Sequence, residues 1–354
     1  MTHYSSLEET PVTEAVADRI PQRVGGEGRG AMVGWTAMLV SAAAFGTSGA
    51  FAKPLLASGW SAGAVVAVRL GLAAAVLLLP GLIALAGRWR LLLAHWRPLL
   101  VYGVFGGAMA QVAFFNAVRY VPVALGLLME YLGILLVVVW VTLRSRRLPS
   151  KLTLLGVAVA IAGLVIVLDP SGMGGVDLRG IAWGALAACG LAAYFIVSAQ
   201  QMTLPPITFV SVGIGIGTLA IMLAGVTGLM PLAAAFVDVD FVGVTLPWWL
   251  PLLELGLIAA ATAYALGFLG VQHLGSTVAS FVGLTEVLFA VLWAWLLLGE
   301  LPGAIQLLGG LILLIGVAAV QRGQSGQQTR WTLPPSSRTE RFPNYRPRSF
   351  GSTG

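Results

Sequence analysis

Five ionisable side chains interrupt long apolar stretches of this chain: Lys53, Arg69, Glu130, Glu254 and Glu286. A charge set among some twenty apolar residues has to be matched by a partner, a ligand or a proton, so each is a candidate for chemistry. Glu286 lies ten residues into the run 276–298. At the helical rise per residue that is about 15 Å deep, close to the middle of a hydrocarbon core about 30 Å thick. There it could accept a substrate ammonium group or a coupling proton, or serve as a structural acid paired to a neighbouring helix. Glu130 and Arg69 come in from the other side to about 12 Å and about 10–11 Å. Matched depths leave two arrangements: a structural ion pair, or Arg69 on a substrate carboxylate with Glu130 on its amine. Lys53, followed by Pro54, stands near a helix end where its stem can snorkel to the interface. Glu254 follows the interfacial aromatics of "PWW" and is expected to face an external vestibule.

Uncharged polar and aromatic residues within the runs are cavity-lining candidates: Tyr102, Gln111, Asn116, Tyr131, Tyr194 and Gln200. Helix-to-helix hydrogen bonding or packing is the competing role for each. The spacings Gly103/Gly107, Gly180/Gly184 and Gly213/Gly217 permit close helix contact, although 45 glycines produce such pairs by chance. Enzyme chemistry finds no footing. His3, His95 and His273 have no metal-ligand spacing, and no phosphate loop of the GxxxxGK[ST] kind exists. The single cysteine, Cys189, lies in an apolar run and cannot form an internal disulfide. No catalytic residues, metal or cofactor are expected.

Such residues need helices to carry them, and the composition says where those helices sit. Of 354 residues, 58% are hydrophobic and 10% charged, with mean hydropathy +0.91; soluble domains are about a quarter charged. This composition predicts an all-α polytopic membrane protein whose surroundings are a lipid bilayer. The apolar runs predict ten spans, near 34–57, 62–85, 98–118, 122–143, 152–168, 179–200, 206–228, 247–271, 276–298 and 302–321. Membrane β-strands would alternate apolar and polar residues, and these runs do not. Residues 1–33 and 322–354 are expected as disordered cytoplasmic tails, and residues 1–30 lack the pattern of a cleavable signal peptide. The net charge of +6 comes from loops and tails, so no nucleic-acid partner is expected.

Charge also gives direction. With the N-terminus in the cytoplasm, sixteen Lys and Arg residues fall on the inner side, in the tails and in the loops around Arg88–Arg97 and Arg144–Lys151. The outer side receives Arg119 and Arg179. That asymmetry satisfies the positive-inside rule and places both termini inside. Two linkers then explain each other. When Pro149 is set over Pro302, Trp140 falls on Trp293, Gly156 on Gly309 and Gly163 on Gly316, while Arg147 falls on Glu300. The apolar frame repeats and the charge reverses. Five helices separate the copies, so equivalent loops lie on opposite faces. The chain is expected to be two five-helix repeats of inverted topology, 34–168 and 179–321, of the kind that build secondary transporters with a midplane site.

Several stretches resemble the drug/metabolite transporter superfamily, in its EamA branch. "FGTSGAFAKPLL" is similar to the family's first helix, "AVVAVRLGLAAAV" to its second with its Arg, and "LTEVLFAVLWAWLLLGELP" to its most recognisable stretch. "LLMEYLGILL" with "RSRRLP" departs from the generic pattern, placing Gly133 opposite Glu286, and is more similar to the threonine/homoserine exporter group. The resemblance implies a ten-helix basket around a central cavity and export of small metabolites. The expectation is therefore a transporter of the plasma (inner) membrane, not an enzyme. Its substrate would be an amino acid or analogue, with protons and a second copy of the chain (a homodimer) as candidate partners. Efflux of cationic or aromatic drugs, and a passive channel, are the alternatives.

Overall fold

The computed structural model describes residues 27–146, 148–168, 177–198, 200 and 202–332. Of the segments expected as tails, 1–26 and 333–354 lie outside these residues, while 27–33 and 322–332 are helical. The chain is mostly helical. We label the main helices α1 (Glu27–Ala57), α2 (Ala62–Leu85), α3 (Trp96–Ala117), α4 (Val123–Arg144), α5 (Lys151–Leu168), α6 (Leu178–Ser198) and α7 (Pro206–Val226). There follow α8, running from Trp249 to Gly283, α9 (Thr285–Leu298) and α10 (Ala304–Thr332). Among the described residues, seven helices are long and apolar enough to cross a membrane. Lys151–Ile166, Thr285–Leu298 and Ala304–Val320 are apolar but shorter.

Two boundaries differ from expectation. The expected break between spans eight and nine, near 272–275, is absent, and the helix runs on to Gly283 before a turn at Leu284. The corresponding loop of the first half ends in Pro122, which has no N–H to donate and breaks the helix. The second half carries no proline there, so its helix continues. The long connection after α7 also holds an unexpected ribbon. Val239–Phe241 pairs antiparallel with Val244–Leu246, Asp240 opposite Thr245, around a turn in which Gly243 takes φ +79. The ribbon is docked on its surroundings. Phe241 lies against Phe51 of α1, and the Val242 N–H donates to the Leu297 carbonyl at the end of α9.

Packing follows a swap between the halves. α1 lies against α8 and α9, and α6 lies against α3 and α4. α2 packs on α7, and α5 on α10. Exchanging each helix of the first half for its counterpart five helices later returns the same set of contacts. Glycines make the closest approaches possible. A Cβ on Gly156 would meet the Gly316 carbonyl at 2.7 Å, and one on Gly163 would meet the Gly309 carbonyl at 2.8 Å. Early α5 thus faces late α10 and the reverse, so these counterparts run antiparallel. Gly71 facing Thr218 and Gly81 facing Ser211 show the same for α2 and α7. Small residues let backbones approach where lipid supplies no hydrophobic drive between helices.

Candidate functional site

The polar centre is built by α1, α2, α3, α4, α8 and α9. Arg69 of α2 is buried, with 1% of its surface exposed. Its Nη1 donates to Gln111 Oε1 of α3 at 2.6 Å and its Nη2 to the Ala259 carbonyl of α8 at 3.0 Å. The Phe115 ring lies 5.4 Å from its guanidinium carbon, a distance at which a cation is attracted to the ring face. Its Nε has no partner. The expected ion pair with Glu130 is not formed. Among the described residues the ion pairs are Lys53–Glu300 and Arg179–Asp177. Nη1 is taken by the amide oxygen of Gln111 and Nη2 by a backbone carbonyl, not by Glu130, and Nε is left over.

That carbonyl belongs to a helical irregularity. Glu254–Thr262 of α8 is π-helical, and so is Tyr102–Met109 at the corresponding place in α3. A π turn shifts each backbone bond to the fifth residue and is frequent at functional sites. Ala259 lies within such a segment.

The acids surround Arg69. Glu130 is buried at the end of the first segment of α4, two residues before a turn at Leu132. Glu286 stands in the first turn of α9, two residues after the matching turn at Leu284. It is thus at a helix start rather than in mid-helix, where the backbone dipole favours an anion. Tyr131 of α4 donates to Glu286 Oε2 at 3.1 Å, joining the two broken helices. Arg69 is within electrostatic reach of Glu130, Glu254 and Glu286 together. Glu254, expected at a vestibule, is instead turned into the protein: its Oε1 is 2.5 Å from Thr47 Oγ1 of α1, and its Oε2 is buried without a partner. Thr47 Oγ1 is also 2.6 Å from the Ala44 carbonyl. The adjacent Ser48 Oγ is buried and unpartnered.

The other expected site residues divide. Gln111 holds Arg69, and Tyr131 holds Glu286. Tyr102 packs against Tyr194, tilted, and edge-on against Phe209, with centroids 5.4 and 4.8 Å away. Asn116 donates to the Val112 carbonyl of its own helix, so its amide group is tied to α3. Gln200 is exposed past the end of α6. Lys53 forms an ion pair with Glu300, whose other oxygen accepts the Val123 N–H at 3.3 Å. Lys53 thereby ties α1 to the α9–α10 linker and the start of α4, away from the centre. Thr47 and Ser48 were not among the expected site residues; their signal was two adjacent hydroxyls within the apolar stretch between Ser41 and Lys53. An apolar crevice between α4, α9 and α10, lined by Leu125, Leu128, Val287, Val291 and Leu311, contains none of these groups. The lining suits hydrocarbon, and we place the chemistry at the polar centre.

Comparisons with known proteins agree with the duplicated layout. A family model described as the EamA-like transporter family matches residues 32–169 and, a second time, residues 178–321. One solved crystal structure, described only as that of a protein, is 18% identical over 83% of this chain and 97% of its own, with a TM-score of 0.52. At that identity the likeness speaks for the fold alone. No curated protein matches the chain.

Proposed function

This chain belongs to the EamA-like transporter family, and from that premise we propose that it is a secondary active transporter exporting an amino acid or a close analogue. Ten spans form two inverted five-helix repeats that rock about a midplane site, with both termini in the cytoplasm and the plasma (inner) membrane as the address. The antiparallel courses of α2 with α7 and α5 with α10 support the inversion, as does the excess of Lys and Arg on one side.

One observation carries the substrate class: a buried guanidinium with a free Nε, in a centre that also holds the carboxyl groups of Glu130, Glu254 and Glu286. A solute bearing only a positive charge would be repelled by Arg69. A solute bearing only a negative charge would be repelled by Glu130 and Glu286. A zwitterion answers both, its carboxylate on Arg69 and its ammonium toward Glu286 and Glu130. Tyr131, bridging α4 to Glu286 across the repeats, is placed to report occupancy from one half to the other.

The test is counterflow in liposomes loaded with single amino acids, sugars or a cationic dye. The expected result is that a labelled amino acid exchanges saturably with its own kind. Conductance without saturation or counterflow would mean a channel, and exchange of the dye alone would mean drug efflux. Glu286→Gln should reduce the exchange rate about tenfold or more, as loss of a charged hydrogen bond of about 1.5–3 kcal/mol implies, with the protein still folded and inserted. Unaltered exchange by that variant across the pH range removes Glu286 from the site.

A further inference from the structure

The oxygen atoms around Thr47 are one hydrogen short. A threonine hydroxyl has one hydrogen to donate, yet its oxygen lies 2.6 Å from the Ala44 carbonyl and 2.5 Å from Glu254 Oε1. Both neighbours are acceptors if Glu254 is ionised, and two oxygens with no hydrogen between them do not rest that close. The arrangement closes if Glu254 carries a proton on Oε1 and donates it to Thr47, which donates in turn to Ala44. Oε2 is then a neutral carbonyl oxygen, and its burial without a partner is far less costly than that of a carboxylate oxygen. A bound sodium ion would hold its oxygen ligands farther apart than this contact.

Charge balance points the same way. Glu130, Glu254 and Glu286 face one guanidinium, that of Arg69. A zwitterionic substrate adds no net charge and cannot make up the difference; protons can. The charged and titratable groups around Glu254 are few. Arg69 faces it from α2 and Tyr264 stands on its own helix; on α1, Lys53 is engaged by Glu300. The first repeat shows that the scaffold does not require an acid here. Where α1 and α8 bring Thr47 to Glu254 at the start of a π segment, α6 and α3 bring Tyr194 to Tyr102 at the start of the other.

We propose that Glu254, with Thr47, is the proton-carrying site of this transporter, distinct from the Arg69–Glu286 substrate site and joined to it through the π segment of α8. Glu254 opens that segment, and Ala259 within it accepts from Arg69. Loss or gain of the Glu254 proton changes the α1–α8 contact, and with it the carbonyl that fixes the substrate-binding guanidinium. The proposal rests on the transport reading above.

The full-length protein in liposomes tests it with the amino acid that shows counterflow. An outward proton gradient, with the lumen acidic, should drive accumulation in the wild type by exchange of protons for solute, and a sodium gradient against choline should not. Glu254→Gln keeps the hydrogen-bonding shape of the protonated acid but cannot release a proton. It should reduce pH-driven accumulation to the level without a gradient while counterflow stays measurable. In the wild type, infrared spectroscopy should show the carbonyl band of a protonated carboxylic acid that Glu254→Gln lacks. Should that variant fail to fold, Thr47→Val, which removes the hydroxyl paired with Glu254, takes its place and should lower pH-driven accumulation while counterflow stays measurable; unaltered accumulation overturns the proposal. Accumulation driven by sodium, or by neither gradient, overturns the proposal, as does a Glu254→Gln variant that still concentrates substrate under a pH gradient. Counterflow with no pH drive sinks the proton site and spares the transporter. No counterflow with any amino acid sinks the transporter reading itself.

Discussion

At the residue scale the decisive group is Arg69. Its planar fork serves Gln111 and the Ala259 carbonyl at once and leaves Nε over. Lysine would keep the charge as a single point and lose that geometry. Arg69→Lys should therefore lower transport about tenfold or more, on the scale of one lost charged hydrogen bond. The loss should fall mainly in apparent substrate affinity, measured as the concentration dependence of exchange, in protein that still elutes as a folded species. A variant with wild-type affinity would detach Arg69 from the substrate. Much of this centre was readable in the sequence, because a charge in an apolar run stands out whatever the fold. What each charge touches was not readable. Matching depth suggested Arg69 with Glu130, but depth fixes only one coordinate. Rotation about the helix axis turned the guanidinium toward α3 and α8, and Lys53 found Glu300 far along the chain.

Helices contribute two features at their own scale, close approach and interruption. The seam between α5 and α10 depends on Gly156, Gly163 and Gly316, whose missing side chains leave room for the opposing backbone. Gly163→Leu should force these helices apart and cost about 1–3 kcal/mol, as overfilled cores do. It would show as a clear drop in melting temperature in detergent. Gly215 provides the contrast. A Cβ there meets nothing within 4 Å, and Gly215→Ala removes a poor helix former, a gain of up to about 1 kcal/mol. Its melting temperature should hold or rise. The glycine spacings hinted at close packing without naming the seam, since 45 glycines make such spacings common. The π segments left no trace in the sequence. One extra residue in a turn changes which carbonyl is free, but not how apolar the run is. The breaks at Leu132 and Leu284 carry no proline; each has a glycine beside it and an acid two residues away, too common a pattern to read as a break.

For the molecule as a whole the claim is that one half lies upside down relative to the other. Leu148, 84% exposed in the linker before α5, and Gly303, exposed in the linker before α10, lie in equivalent linkers of the two halves. In a chain whose own exposed Cys189 is replaced by alanine, Leu148→Cys should react with an impermeant thiol reagent from the cytoplasmic side and Gly303→Cys from the opposite side. Labelling of both from one side refutes the inverted arrangement. At this scale the expectation comes from loop charge and from the count of apolar runs, both properties of composition that need no knowledge of any contact; of those runs, seven are helices long and apolar enough to cross a membrane among the described residues.

The ribbon Val239–Leu246 has a use beyond filling a long connection. Its tip is fastened to Phe51 near the end of α1 and to Leu297 at the end of α9. Its base is pinned to the α1–α2 turn, where the Trp60 indole donates to the Ala235 carbonyl at 2.6 Å and Ser61 Oγ to the Pro231 carbonyl at 2.7 Å. Whatever tilts those helix ends must swing the ribbon with them. Asp240 rides on it, exposed, so a dye carried there turns it into a pointer that displays any tilt of those helix ends without a mark on the polar centre.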